Sequence, residues 1–365
     1  MRKSGKTVAA VMLSLLIIVC VILWKIFIYE SPKLAFVKNM GTGINIGNSL
    51  DSFGLREYYP EATDLEFETS WSNPEITEEL FVMIKEAGFS TVRIPVTWGE
   101  HMDENGKVSA EWMDRVREVV DMALAQELYV ILNTHHEEWM DLEIEREDEI
   151  TERFIFLWEQ IAERFAVYDE KLLFEGMNEP RLRNSEYEWT TATSELRSMV
   201  NRLNREFVDT VRATGERNKD RYLLICAYGT RYENEALEAV EVPKGNIIVS
   251  VHMYSPYTFC QKEDGMAQWD MEDEVCAGYA AEVCGYFENM QKLFVKEGIP
   301  VILTEFGCTD KDNPDSRVEW VSFYKEEAAK NGVQCIWWDN GYNYGIMDRT
   351  KYTWTYPQIK DALIR

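Results

Sequence analysis

Two acidic residues each follow directly on an apolar run. Residues 172–177 are mostly apolar and lead straight into Asn178-Glu179-Pro180, and residues 301–304 lead in the same way into Glu305-Phe306-Gly307. One acid in such a place could be no more than the polar start of a turn. Two suggest a pair, one carboxyl protonated and able to give a proton, the other ionised and able to attack. Hydrolysis of a glycosidic bond needs that division of labour. A separation of about 5 Å would leave no room for a water between the two and would imply retention of configuration.

Holding both acids on one face is a demand on the fold. Short apolar runs at residues 43–47, 91–94, 128–133, 172–177, 222–227, 247–251, 301–304 and 335–338 read as strands. Between them lie amphipathic stretches at 75–87, 111–126, 152–168, 188–214, 279–297 and 315–330, two of them closed by Gly88 and Gly298. Eight strands alternating with helices is the count of an α/β (β/α)8 TIM barrel, with an open doubly wound sheet as the rival. Nearly every strand ends in a residue with chemistry to offer: Asn48, Arg93, His135, Glu179, His252, Glu305 and Trp338. A barrel gathers those ends into one pocket, whereas an open sheet would spread them along an edge. The expectation is a single TIM-barrel domain over residues 31–365, since no linker or composition shift interrupts it. The acidic run at 141–149 reads as a solvated loop and helix start. Trp269, in the long connection 257–277, is a candidate to line the pocket.

Composition narrows the partners. A net charge of −26 over 365 residues would repel a phosphate backbone, so nucleic acid is not expected. Twelve Trp and eighteen Tyr supply flat apolar faces of the kind sugars stack on. Residues 1–6 are basic and residues 7–24 almost wholly apolar, without a small-x-small cleavage site. Residues 1–30 therefore read as a signal-anchor with a transmembrane helix over about 7–28, the N-terminus cytoplasmic and the rest outside. A cleaved signal and a secreted enzyme is the alternative. Cys260, Cys276 and Cys284 are close enough in sequence for a local disulfide, whose pairing spacing cannot assign. No metal is expected. There is no CxxC pair, His136-Glu137 lacks the second His of HExxH because Met140 stands there, and neighbouring His135 and His136 on one strand would point apart. Gly41, Gly43 and Gly47 read GxGxxxG, not a dinucleotide loop.

Seven motifs run in order from about residue 40 to 345: Gly43-Ile44-Asn45-Ile46-Gly47-Asn48-Ser49-Leu50-Asp51, Val92-Arg93-Ile94-Pro95-Val96, Asn133-Thr134-His135-His136, Asn178-Glu179-Pro180, His252-Met253-Tyr254, Thr304-Glu305-Phe306-Gly307 and Trp337-Trp338-Asp339-Asn340-Gly341. Through them the chain resembles glycoside hydrolase family 5, in its endoglucanase-type branch. The resemblance implies a retaining endo-β-1,4-glucanase with Glu179 as acid/base and Glu305 as nucleophile. It also implies that Arg93 keeps Glu305 ionised, that Tyr254 donates to Glu305, and that Asn178 holds the sugar 2-hydroxyl. His252 would position the acid/base or substrate, and His135 and His136 would bind sugar hydroxyls. Trp338, seven residues before Gly345, would be the platform under the sugar, with Asn48, Asp51 and Trp71 as further contacts. The resemblance implies no cofactor, a β-glucan substrate and a monomer. Xyloglucan, lichenan and β-mannan are alternative substrates, and an inactive carbohydrate-binding barrel is the alternative of another class.

Overall fold

Strands rich in Val, Ile and Leu at successive positions have no polar face to show to water, so both faces must be covered. The computed structural model, which describes residues 31–365, meets that demand with a closed barrel. Its strands are β1 (Gly43–Asn45), β2 (Thr91–Ile94), β3 (Tyr129–Asn133), β4 (Leu172–Glu175), β5 (Leu223–Cys226), β6 (Ile247–His252), β7 (Val301–Phe306) and β8 (Gln334–Trp337). Each pairs parallel to the next, and β1 closes the ring on β8. The expected TIM barrel is what forms. The expected membrane helix falls on residues 1–30 and lies outside the described residues; among the described residues no helix is long and apolar enough to cross a membrane.

Helices α1 (Glu78–Glu86), α2 (Ala110–Ala125), α3 (Glu147–Arg164), α4 (Ser194–Ala213), α5 (Asn234–Glu238), α6 (Glu274–Leu293), α7 (Pro314–Asn331) and α8 (Pro357–Ile364) surround it. α2 shows why they form where they do. The Ser109 hydroxyl accepts from the Trp112 N–H at its start, and Trp112, Val116, Val119 and Ala123 make a stripe at helical spacing that is buried on the sheet. α3 begins five residues before the sequence expectation, because Glu147, Asp148 and Glu149 sit in its first turn, where the helix dipole favours them. α5 has five residues, too few for a periodic pattern to register, and it was absent from the expectation.

The barrel has two apolar cores. Between strands and helices lies a large shell that includes Trp98, Trp112, Trp158, Phe174, Trp320 and Trp337. Inside the lower end sit Ile131, Leu173, Leu224, Ile248, Ile302 and Ile336, closed off by Val37 and Met40 of a helix at Pro32–Met40. Phe36 of that helix stacks on Tyr222 at 3.7 Å. At the upper end the register shifts between Val251 and His252 and again between Leu303 and Phe306. Such bulges re-aim side chains at barrel rims, and β7 runs past residue 304 to include Glu305. Trp269 does not line a pocket: it is buried against Phe259 and Phe323. Cys260, Cys276 and Cys284 are free; Cys276 and Cys284 share α6, about 12 Å apart along its axis, beyond disulfide reach.

Candidate active site

Above the apolar interior, inward positions of five strands turn polar: Asn45, Arg93, Asn133, Glu175 and Ser250. All are fully buried. Arg93 is their hub. Its Nε donates to Glu175 Oε2 at 2.6 Å, Nη1 to Glu305 Oε1 at 2.7 Å and to Asn45 Oδ1 at 3.0 Å, and Nη2 to Asn178 Oδ1 at 2.8 Å. Burial alone would lower the pKa of this guanidinium; the adjacent charges of Glu175 and Glu305 outweigh it and hold the pKa above the ordinary arginine value.

Glu305 accepts from Arg93 Nη1 and, on Oε2, from the Tyr254 hydroxyl at 2.8 Å, and His252 Nδ1 lies 3.5 Å from it. Burial and the Glu305 charge push the Tyr254 hydroxyl well above its ordinary value, so it stays a donor. His252 Nδ1 also lies 2.9 Å from Glu179 Oε1, while its Nε2 is buried without a partner. A buried N–H with no acceptor costs more than a bare lone pair, so the ring proton sits on Nδ1 and is given to Glu179 Oε1. Glu179 Oε2, 3.6 Å from Arg181 Nη1, is left as the oxygen that can carry an acid proton. Burial raises the Glu179 pKa, but the His252 hydrogen bond and the Arg181 charge lower it further, and in the empty site it lies below the ordinary value. Oxygens of Glu179 and Glu305 and a nitrogen of His252 all lie within 4.8 Å of one another.

On one side of this pair the surfaces are flat. The half-buried Trp338 ring lies parallel to His135, centroids 5.8 Å apart and planes 3° apart. A Cβ on Gly47 would stand 2.6 Å from Trp338 Cη2, so only glycine lets the indole lie over β1. Trp71, Phe53 and His136 form an adjoining aromatic cluster at 5.0–5.7 Å. Asn48, at positive φ beside Gly47, offers its carbonyl to Asn73 Nδ2 and so ties the β1 loop to the β8 loop.

Asp51 is fully buried. Its Oδ1 accepts from the Ser49 N–H and its carbonyl from His136 Nδ1, so it acts behind the histidines. His135 and His136 do not point apart, because β3 ends at Asn133 and the pleat ends with it; their rings meet edge to face at 4.4 Å. With Asp51 they bring ligand atoms within 4.8 Å, a spacing a cation could bridge. The hydrogen bonds argue against one. Asn133 Oδ1 is taken by the Val96 N–H, so its Nδ2 donates to His135 Nδ1 at 3.0 Å. That leaves the proton on His135 Nε2, the atom 3.9 Å from Asp51 Oδ2, and a protonated nitrogen cannot ligate.

A family model described as cellulase (glycosyl hydrolase family 5) matches residues 59–344. The chain belongs to glycoside hydrolase family 5. It is 40% identical over 340 residues to Endoglucanase A of Clostridium longisporum, covering 90% of this chain and 65% of that protein, just under two thirds of its length. To Endoglucanase B of Ruminococcus albus it is 41% identical over 337 residues, 89% of this chain and 78% of that one. Its fold matches XEG5A, a xyloglucan-specific endo-β-1,4-glucanase of family 5 from a metagenomic library solved with cellotriose, at a TM-score of 0.85 and 36% identity, covering 92% of this chain and 99% of that one.

Beside Glu179, this family 5 hydrolase opens a cavity of about 550 Å³ lined by Glu179, Trp189, Tyr232, His252, Tyr254 and Tyr257, among others. Trp189 and Tyr257 are 52% and 61% exposed, unusual for rings that large. Arg181 stacks on Trp189 at 4.1 Å and so links that ring to the acid. Sequence reasoning brought together Arg93, Asn178, Glu179, His252, Tyr254 and Glu305, but missed Trp189, Arg181, Asn45, Asn133, Ser250 and Glu175. Glu175 had a readable signal: a charge in the middle of an apolar strand is almost never left without a partner. The amphipathic stretch read at 188–214 took in Trp189 as a helix residue, whereas α4 begins at Ser194 and leaves Trp189 in the loop before it.

Proposed function

We propose that this protein is a retaining endo-β-1,4-glucanase in which Glu305 is the nucleophile and Glu179 the acid/base. The observation that carries the reading is the closeness of the two carboxylates, which bring one oxygen each to within 4.8 Å. An inverting enzyme needs roughly 6.5–9.5 Å to seat a water, whereas a retaining one needs about 5–5.5 Å. The sugar before the scissile bond would rest on Trp338, with His135 Nε2–H donating to a hydroxyl. Arg93 occupies Asn178 Oδ1, so the Asn178 Nδ2 hydrogens are left to reach the 2-hydroxyl. Glu305 Oε attacks the anomeric carbon while Glu179 Oε2 gives its proton to the leaving oxygen, and the released chain departs through the Trp189 cavity. Glu179 then takes a proton from water, whose oxygen displaces Glu305 and restores it.

Glu179 begins below its ordinary pKa, so it must gain its proton as substrate binds. Its side chain is 20% exposed against 6% for Glu305, which leaves it a path to solvent. Substrate filling the cavity deepens its burial, and burial favours the protonated form. The substrate class is β-1,4-glucan, and the likeness to a xyloglucan-specific enzyme supports tolerance of branches. We further propose that residues 1–30 anchor a monomeric catalytic domain, residues 31–365, on the outside of the cell, on the strength of the basic-then-apolar sequence alone. Residues 31–365 are expected to release reducing ends from carboxymethylcellulose, lichenan and xyloglucan. Glu179→Gln is expected to lose on the order of 10³-fold on cellulose but little in the rate at which an aryl cellobioside with a good leaving group forms the glycosyl intermediate, read as the burst of released phenol. Equal losses on both would refute the division of roles.

A further inference from the structure

The mechanism above does not use Glu175, a fully buried acid on β4. Its three neighbours are all able to donate: Arg93 Nε to Oε2 at 2.6 Å, Asn133 Nδ2 to Oε2 at 3.1 Å, and the Ser250 hydroxyl to Oε1 at 2.6 Å. Arg93 therefore faces two carboxylates from opposite sides. Glu305 opens on the substrate side; Glu175 does not, and nothing in the reaction reaches it.

We propose that Glu175 is the permanent counter-ion of Arg93, a positioning residue that keeps this cation paired while Glu305 is spent as a glycosyl ester. The inference rests on Glu305 being the nucleophile. In the free enzyme, Arg93, Glu175 and Glu305 together carry one negative charge. When Glu305 bonds to the anomeric carbon, its charge is lost to the ester. Without Glu175, Arg93 would then be a lone buried cation, the arrangement that costs most when a buried ion pair is broken. Glu175 also takes a share of the Arg93 charge beforehand, so Glu305 is held in place without being fully neutralised and keeps its reactivity.

The test is Glu175→Gln, which keeps shape and removes charge. Its Oε1 can accept from Arg93 and Asn133. Its Nε2 can donate to Ser250, whose own proton can turn to Thr304 Oγ1 at 2.5 Å. The expected results are a fall on the order of a hundredfold in the rate at which a 2-deoxy-2-fluoro aryl cellobioside labels the enzyme, no slowing of reactivation, and an acidic limb of kcat/KM moved down by about one pH unit. Glu175→Asp, which restores the charge, should return the limb towards that of the unmodified enzyme. If Glu175→Gln does not fold, Ser250→Ala gives the same reading with opposite sign, because stripping a donor from Glu175 leaves more of its charge on Arg93 and moves the limb up. An unmoved limb in whichever of these folds, or a labelling rate that falls only in step with thermal stability, would overturn the proposal. Peptide mapping of the labelled unmodified enzyme separates the two failures: a label anywhere but Glu305 overturns the nucleophile assignment instead.

Discussion

The two ends of the barrel are made by the same strands, two residues apart. Ile131, Leu173, Leu224, Ile248, Ile302 and Ile336 fill the lower layer under the helix at Pro32–Met40. One pleat repeat higher, about 7 Å, the same strands present Asn133, Glu175, Cys226, Ser250 and Thr304, with Trp338 just past the end of β8. Below, the side chains are alike and close-packed, and any one could be exchanged for another of similar volume at modest cost. Above, nearly every polar atom has a named partner, and the hub Arg93 has four. The difference shows how one scaffold separates folding from chemistry: stability is drawn from the interchangeable layer, and the irreplaceable layer is seated on it.

Changing one residue in each layer should separate the two. Glu305→Gln is expected to cost on the order of 10⁵-fold in kcat, with an unfolding midpoint held or raised, because Glu175 still pairs Arg93. Leu173→Ala, one layer lower on β4, is expected to cost about 2–5 kcal/mol in urea denaturation through the cavity it leaves, with kcat per folded molecule within about twofold. A collapse of kcat in Leu173→Ala would mean that the layers are not separable.

The same division explains what was legible in the sequence. The lower layer is written as continuous apolar runs, so all eight strands and the barrel could be read, to within a residue or two at most ends. Where bulges shift the register, at Val251/His252 and Leu303/Phe306, run length could not show it, and β7 was ended at 304. In the upper layer, residues at strand ends were readable because a polar residue after an apolar run is conspicuous. Asn45, Glu175 and Ser250 were not read, since inside a strand the polar residue looks like an interruption until its partner is known. The histidine pair was misread for a related reason. Ring direction beyond a strand's last hydrogen bond depends on loop path, and the rings of His135 and His136 meet edge to face.

The smallest expected effect tests whether the upper layer keeps its charges in order when the pH changes. Burial holds the His135 pKa well below the ordinary 6.5, with the charges of His136 and Arg93 acting in the same direction. The unfolded chain takes up that proton as the pH falls through about 6.5 while the folded protein does not. The unfolded state then binds more protons, so stability falls with falling pH, by up to about 1.4 kcal/mol per pH unit, and the residue contributes no slope above that range. His101, also lowered chiefly by burial against the pull of Asp64, adds a slope of the same sign from outside the site. His135→Gln should flatten the fall in urea midpoint between about pH 6.5 and 5 by up to one proton, while Leu173→Ala should lower every midpoint and leave the slope alone. An unchanged slope in His135→Gln would mean that the folded ring accepts a proton after all. The hydrogen bond from Asn133 would then not fix its tautomer, and the argument against a cation between His135, His136 and Asp51 would fall with it.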